Sequence, residues 1–166
     1  DGKTAVPGNL TEVVAITDGQ YHTIALTTSE PSIAAIPASL PFGDVVLTDT
    51  SVDSVMVKNT GPMFSLSVDS IAVTGADSAS FPTSEYTPLS IEPGDSAYVR
   101  VTYAPTAAGA DTASLQLYHN ADGSPTSIEL TGFGIGPVTL SLGTAFGAPG
   151  DTLSIPVTLA NPNTGH

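Results

Sequence analysis

Glycine, proline and asparagine recur at short intervals through the middle of this chain, and that spacing restricts the fold more than any other feature. The marks are Leu40-Pro41-Phe42-Gly43, Asn59-Thr60-Gly61, Pro93-Gly94, Tyr103-Ala104-Pro105, Gly109 and Leu130-Thr131-Gly132-Phe133-Gly134. Such residues supply turns, and the stretches between them alternate apolar with polar side chains, as half-buried strands do. The clearest stretch is 97–103, where Ala97, Val99, Val101 and Tyr103 share one face and Tyr98, Arg100 and Thr102 the other. The same parity places Val55 and Val57 opposite Met56 and Lys58 in 51–59, and turns Leu115, Leu117, Ile128 and Leu130 inward in 113–118 and 126–131. Further strands are expected at 44–48, at 64–73 with Leu66, Val68 and Ala72 toward the core, and at Leu89 and Ile91. Phe81, alone in a polar 75–84 loop, is expected to plug one end. No segment has a helical period. The expected fold is all-β: an immunoglobulin-like, seven-stranded antiparallel β-sandwich of about 100 residues. Residues 32–36, between Pro31 and Pro37, are suited to an added edge strand because proline needs no ladder partner there.

Composition supports a packed domain held by apolar contacts. Hydrophobic residues make up 40% of the 166 and charged residues only 11%, too few charges for disorder by self-repulsion. There is no Cys and no Trp, so the disulfide and tryptophan that pin antibody-type sandwiches are missing. Three Lys and Arg stand against 16 Asp and Glu, a formal net charge of −13. That field repels phosphate backbones and anionic lipid, which makes nucleic acid and membrane insertion poor expectations. No apolar run reaches the length of a membrane-spanning helix.

The flanks repeat the strand pattern in pieces. Residues 1–30 carry Val6-Pro7-Gly8-Asn9-Leu10, Val13-Val14-Ala15-Ile16 and Gly19-Gln20-Tyr21-His22, with a hairpin signal at Asp18-Gly19. This wording resembles the end of a repeat from propellers of the regulator-of-chromosome-condensation type, which implies a propeller-repeat remnant with His22 as a packed structural histidine. Residues 137–166 carry Val138-Thr139-Leu140-Ser141-Leu142, Gly147-Ala148-Pro149-Gly150-Asp151 and an apolar alternation over 153–159. That segment is similar to the start of cohesin-like modules of large secreted bacterial proteins, and is expected to open a second β-sandwich. The chain therefore reads as a piece of a longer protein.

The central marks resemble the ASH/Hydin-type immunoglobulin-like domain, whose bacterial relatives are called choice-of-anchor D modules. The resemblance covers 33–135 and rests on Leu40, Phe42, Gly43, Val45, Asn59, Gly61, Leu66, Ile71, Phe81, Pro93, Gly94, Ser96, Val99, Val101, Tyr103, Pro105, Gly109, Leu130, Gly132 and Gly134. Gly43, Gly61, Gly94 and Gly132 are expected at backbone angles that other residues resist. Asn59 is expected to cap its own turn, and Pro93, Pro105 and Gly134 to mark strand ends. Thr48-Asp49 departs from the Leu-Gly common in the family, and Pro62-Met63-Phe64 makes an unusually apolar approach to the third strand. The resemblance implies a non-enzymatic module: a spacer or adhesion module of a large exported bacterial protein, at the cell surface, or a scaffold of the kind associated with cilia and centrosomes.

The residues themselves offer little chemistry. There is no Gly-x-Ser-x-Gly elbow, no phosphate loop and no His-x-x-x-His, and His22, His119 and His166 fall in different units. Catalytic and cofactor sites are therefore expected to be absent. Oxygen-rich loops leave calcium as a metal candidate, through Asp44, Asp49 and Asp53 or through Asn120 and Asp122, although neither has calcium-loop spacing. Tyr98 and Tyr118, on outward strand faces, are candidates to stack on sugars. The expected partners are neighbouring domains of the same chain and a protein or glycan at the cell surface.

Overall fold

A computed structural model describes residues 13–18, 23–27, 30–84 and 87–161. Strands β1 (Val13–Asp18) and β2 (Thr23–Thr27) pair antiparallel as a hairpin in a sheet of their own. His22 and His166 lie outside the described residues. Eight strands follow in the central region: β3 (Ile33–Ile36), β4 (Ser39–Val46), β5 (Ser51–Asn59), β6 (Leu66–Thr74), β7 (Leu89–Ile91), β8 (Ser96–Tyr103), β9 (Gly109–His119) and β10 (Thr126–Ile135). They form a three-stranded sheet, β3-β5-β8, and a five-stranded sheet, β4-β10-β9-β6-β7. β11 (Thr139–Leu142) and β12 (Val157–Ala160) make a last antiparallel hairpin. A single turn of 3-10 helix, Ser78–Ser80, is the one described departure from strand and loop.

The immunoglobulin-like sandwich stands, with two corrections to its expected plan. It has eight strands rather than seven, and it is not wholly antiparallel. Residues 37–38 carry the chain from one sheet to the other, so the first edge is shared between β3 and β4. β4 keeps the direction of β3 instead of reversing through a hairpin, and therefore runs parallel to β10. It also begins at Ser39, ahead of the expected 44–48, because Pro41 is tolerated on an edge strand while Leu40 is buried beneath it.

The core is the product of the alternation. Val55, Val57, Val99 and Val101 from one sheet meet Leu66, Val68, Leu115, Leu117, Ile128 and Leu130 from the other, all fully buried. Ala72 is the exception to the expected inward set. The β6–β9 register shifts between Val68 and Ser70, a bulge that adds one residue and reverses the parity beyond it. Ile71 and Val73 pack against the core instead.

One end is closed by three aromatic rings. Phe81 is held by the segment that edges β8: the Ala104 N–H donates to Ser80 O (2.8 Å), the Thr102 N–H to Pro82 O (3.0 Å), and Thr83 bridges Val101. Phe81 stacks on Tyr103 with centroids 4.8 Å apart, and Phe42 lies 5.8 and 5.7 Å from the two. The buried Tyr103 hydroxyl donates to Asp111 Oδ2 (2.9 Å), and burial together with that carboxylate pushes its pKa above the usual phenol range. Gly132 passes directly over this ring, where a Cβ would meet the Tyr103 side chain, and Gly134 is equally crowded by Ala107 O and Pro105.

The motif glycines thus divide by cause. Gly43 and Gly94 take positive φ, +67° and +85°, as expected for left-handed turns. Gly61 and Gly132 do not; they are required for space, Gly61 because a Cβ would meet Ser32 N at 2.8 Å and Glu30 O at 2.9 Å. Replacing Gly132 with Ala is expected to cost about 1–3 kcal/mol by overpacking the Tyr103 ring, read as a lower urea midpoint.

The opposite end is tied by Asn59. Its side chain donates from Nδ2 to Phe64 O (2.8 Å) and Ile91 O (3.0 Å), and its Oδ1 accepts from the Gly61 N–H (3.0 Å). Its backbone N–H donates to Asp95 O and its carbonyl accepts from Gly94, each at 3.0 Å. Asn59 is expected to lose about 2–4 kcal/mol on replacement by Ala, because two carbonyls and an N–H lose their partners. Asn59→Asp should do at least as much damage, since it points a carboxylate oxygen at two carbonyls; chemical denaturation measures both.

Candidate interaction surface

Parity and ladder register together define the outer face of the three-stranded sheet. Ile36 pairs with Met56 and Met56 with Tyr98, so these three side chains form one row across β3, β5 and β8. Ile36 is 53% and Tyr98 61% exposed, and Val52, further along β5 on the same face, is 58% exposed. Lys58 lies two residues beyond Met56 and Arg100 two beyond Tyr98, in opposite directions from the row. They are the only Lys or Arg among the described residues, and no outward position of β3, β5 or β8 is acidic. A chain of net charge −13 therefore places both described cations on one apolar face.

The five-stranded sheet is dressed differently. Gln116 Nε2 donates to Ser114 Oγ (2.8 Å) and Ser127 Oγ (3.0 Å), and the two hydroxyls lie 2.7 Å apart. Tyr118 is on this side, opposite Ser70. Tyr98 and Tyr118 hence sit on opposite faces of the sandwich and do not form one stacking platform.

The oxygen-rich loops engage their own backbone. The Thr50 N–H donates to Asp49 Oδ1 (3.3 Å) and the Ser54 N–H to Asp53 Oδ1 (2.7 Å), while Asp44 is on β4. Asn120 pins β6: its Oδ1 accepts from the Ser67 N–H (2.8 Å) and its Nδ2 donates to Ser65 O (3.2 Å). Asp122 is exposed in the same turn. Among the described residues no three His, Asp or Glu side chains gather as a metal-holding group. Pro93 and Pro62 line a shallow groove with Lys58 and Gly61, beside the exposed Met63 (66%) and Phe64 (54%). The apolar stretch Pro62-Met63-Phe64 is thus on the surface. Pro105, just past the end of β8, is buried.

His119 ends β9 in a buried corner. Its Nδ1 accepts from the Ala121 N–H (3.2 Å), which leaves the proton on Nε2 for Thr126 Oγ1 (2.9 Å). Burial holds its pKa below the ordinary value of 6.5, against the opposing pull of the Asp69 carboxylate.

The family profile described as abnormal spindle-like microcephaly-associated, ASPM-SPD-2-Hydin, matches residues 28–127. The chain belongs to this ASH family. The ASH/PapD-like domain 7 of human CEP192 superposes with a TM-score of 0.51, covering 73% of this chain and 99% of that domain at 16% identity. A protein of unknown function from Porphyromonas gingivalis W83 superposes with a TM-score of 0.54 at 16% identity, covering 65% of this chain and 49% of its own length. The chain thus spans about half of that protein. Both likenesses are of fold. No curated protein matches the chain. ASH and PapD-like domains are non-catalytic interaction modules, and the sandwich is of that kind.

The row on the outer face was only half legible in the sequence. Alternation set Tyr98 and Met56 outward, but nothing local states that β5 and β8 are neighbours, or that β3 brings Ile36 beside them.

The buried histidine makes the ASH sandwich sensitive to acid. Its folded pKa is depressed, so below about 6.5 the unfolded chain binds the proton first, and stability falls as pH drops toward the folded value. The melting temperature is expected to fall between about pH 7.5 and 5.5, above the range where carboxylates titrate. His119→Gln should flatten that slope while lowering the midpoint itself.

Proposed function

We propose that this ASH domain is a non-catalytic in-line spacer and interaction module of a large exported bacterial protein, working outside the cell or at its surface. One observation carries the spacer reading. β3 starts beside Asn59, whereas β10 ends beside Val46 and Leu47, at the other end of the sandwich. The parallel β4–β10 pair makes this so, because β3, β4 and β10 all advance in the same direction. A module that the chain enters at one end and leaves at the other adds its length to an extended protein, with its neighbours at its two poles. The scarcity of Lys and Arg and the hydroxyl-rich five-stranded face support an extracellular setting. So do the flanking stretches similar to propeller and cohesin-like modules, 1–30 and 137–166, as neighbours to the 33–135 sandwich. Protein contacts fit this module better than glycan stacking, since Tyr98 and Tyr118 do not share a face.

The chain has no cysteine, so spin labels attach only where they are placed. Ser32→Cys with Val138→Cys should give an electron–electron distance of roughly 30–40 Å, set by strand rise; a separation under about 20 Å would sink the in-line reading. Protease shaving of intact source cells should release peptides of this domain. Recovery in the cytosolic fraction alone would favour an intracellular scaffold, the alternative that the ASH/Hydin-type resemblance implies.

A further inference from the structure

We infer that the outer face of β3-β5-β8 is a docking surface for a protein segment carrying carboxylates beside an apolar anchor. This deepens the interaction-module reading and rests on it. The apolar part is the row Ile36–Met56–Tyr98 with Val52, three of its four side chains more than half exposed. Monomeric proteins rarely leave such contiguous apolar surface uncovered unless something binds it. Tyrosine and methionine are also residues that interfaces favour.

Charge decides the occupant. Lys58 and Arg100 stand on either side of the row, roughly 14 Å apart by strand rise and spacing. Every other described formal charge on a Lys, Arg, Asp or Glu side chain is negative. A polyanion such as nucleic acid or an anionic membrane meets the −13 field of the whole chain at long range. A segment with two or three carboxylates is matched at contact instead, where its charges come within a Debye length of about 10 Å of Lys58 and Arg100. A neutral glycan would use Tyr98 but neither the charge of Lys58 nor the exposed Val52. The five-stranded face, built by the same alternation, serves as the internal contrast: its outward Ser114, Gln116 and Ser127 bond one another and offer no apolar row.

The test uses the full 166-residue chain, isotopically labelled, and synthetic twelve-residue peptides of equal apolar content that are acidic, neutral or basic. The acidic peptide should shift amides of Ile36, Met56, Lys58, Tyr98 and Arg100, with affinity falling as salt rises. Tyr98→Ser and the double change Lys58→Glu with Arg100→Glu should each weaken it at least fivefold at unchanged circular dichroism, while Ser127→Glu on the opposite face should leave it alone. Equal binding of all three peptides, shifts confined to other surfaces, or none at all would overturn the proposal. So would a concentration-dependent dimer abolished by the same changes, which would make the occupant a second copy, or shifts of these amides by a neutral oligosaccharide but not by the acidic peptide. The spin-label distance is independent of every one of these outcomes, so failure here leaves the spacer reading intact.

Discussion

The carboxamide of Asn59 is the contact on which the sandwich most depends. Five hydrogen bonds meet at this one buried residue, and they tie the end of β5 to the 61–64 turn, to β7 and to the Pro93-Gly94 turn. Those segments belong to both sheets, so the residue acts as a bolt through the layers at the pole where the chain arrives. Only an amide suits the place. It must donate twice and accept once in a fixed plane, which neither a carboxylate nor a hydroxyl does. The neighbouring Gly61 completes the fit, because the arriving backbone at Glu30–Ser32 passes where a Cβ would be.

The two poles solve the same problem with different chemistry. A sandwich without disulfide or tryptophan has to close its ends with something other than sheet. At one pole the closure is polar, through Asn59; at the other it is aromatic, through Phe42, Phe81 and Tyr103 under Gly132. Between them runs an aliphatic core of Val, Leu and Ile. Because the poles are built and the sheet faces are not needed for closure, the faces are free to differ. One became a hydroxyl and amide network, the other an apolar row between two cations.

Much of this was legible beforehand. The strands at 51–59 and 97–103 follow from alternation, since a side-chain period of two leaves little choice once one face is buried. Phe81 was recognisable as a plug because it is a lone aromatic in a polar loop. The misses have physical causes. The bulge near Asp69 inserts one residue, and no local signal marks it, so alternation alone places Ala72 on the wrong face. The split of the first edge between β3 and β4 depends on which sheet each half finds, and that is a question of long-range pairing. Gly61 and Gly132 look in sequence like the left-handed Gly43 and Gly94, yet they are small because of distant neighbours.

By itself, then, the sequence determined an all-β sandwich, its turns and the inward set of its central strands, because each of these is written in residue type and short-range period. The tertiary structure alone decided which strands lie side by side. That choice is made by contacts between residues far apart in the chain. It made β4 parallel to β10 and so sent the chain in at one pole and out at the other. It also set Ile36, Met56 and Tyr98 in one row with Lys58 and Arg100 beside them, a surface that none of the three strands carries alone.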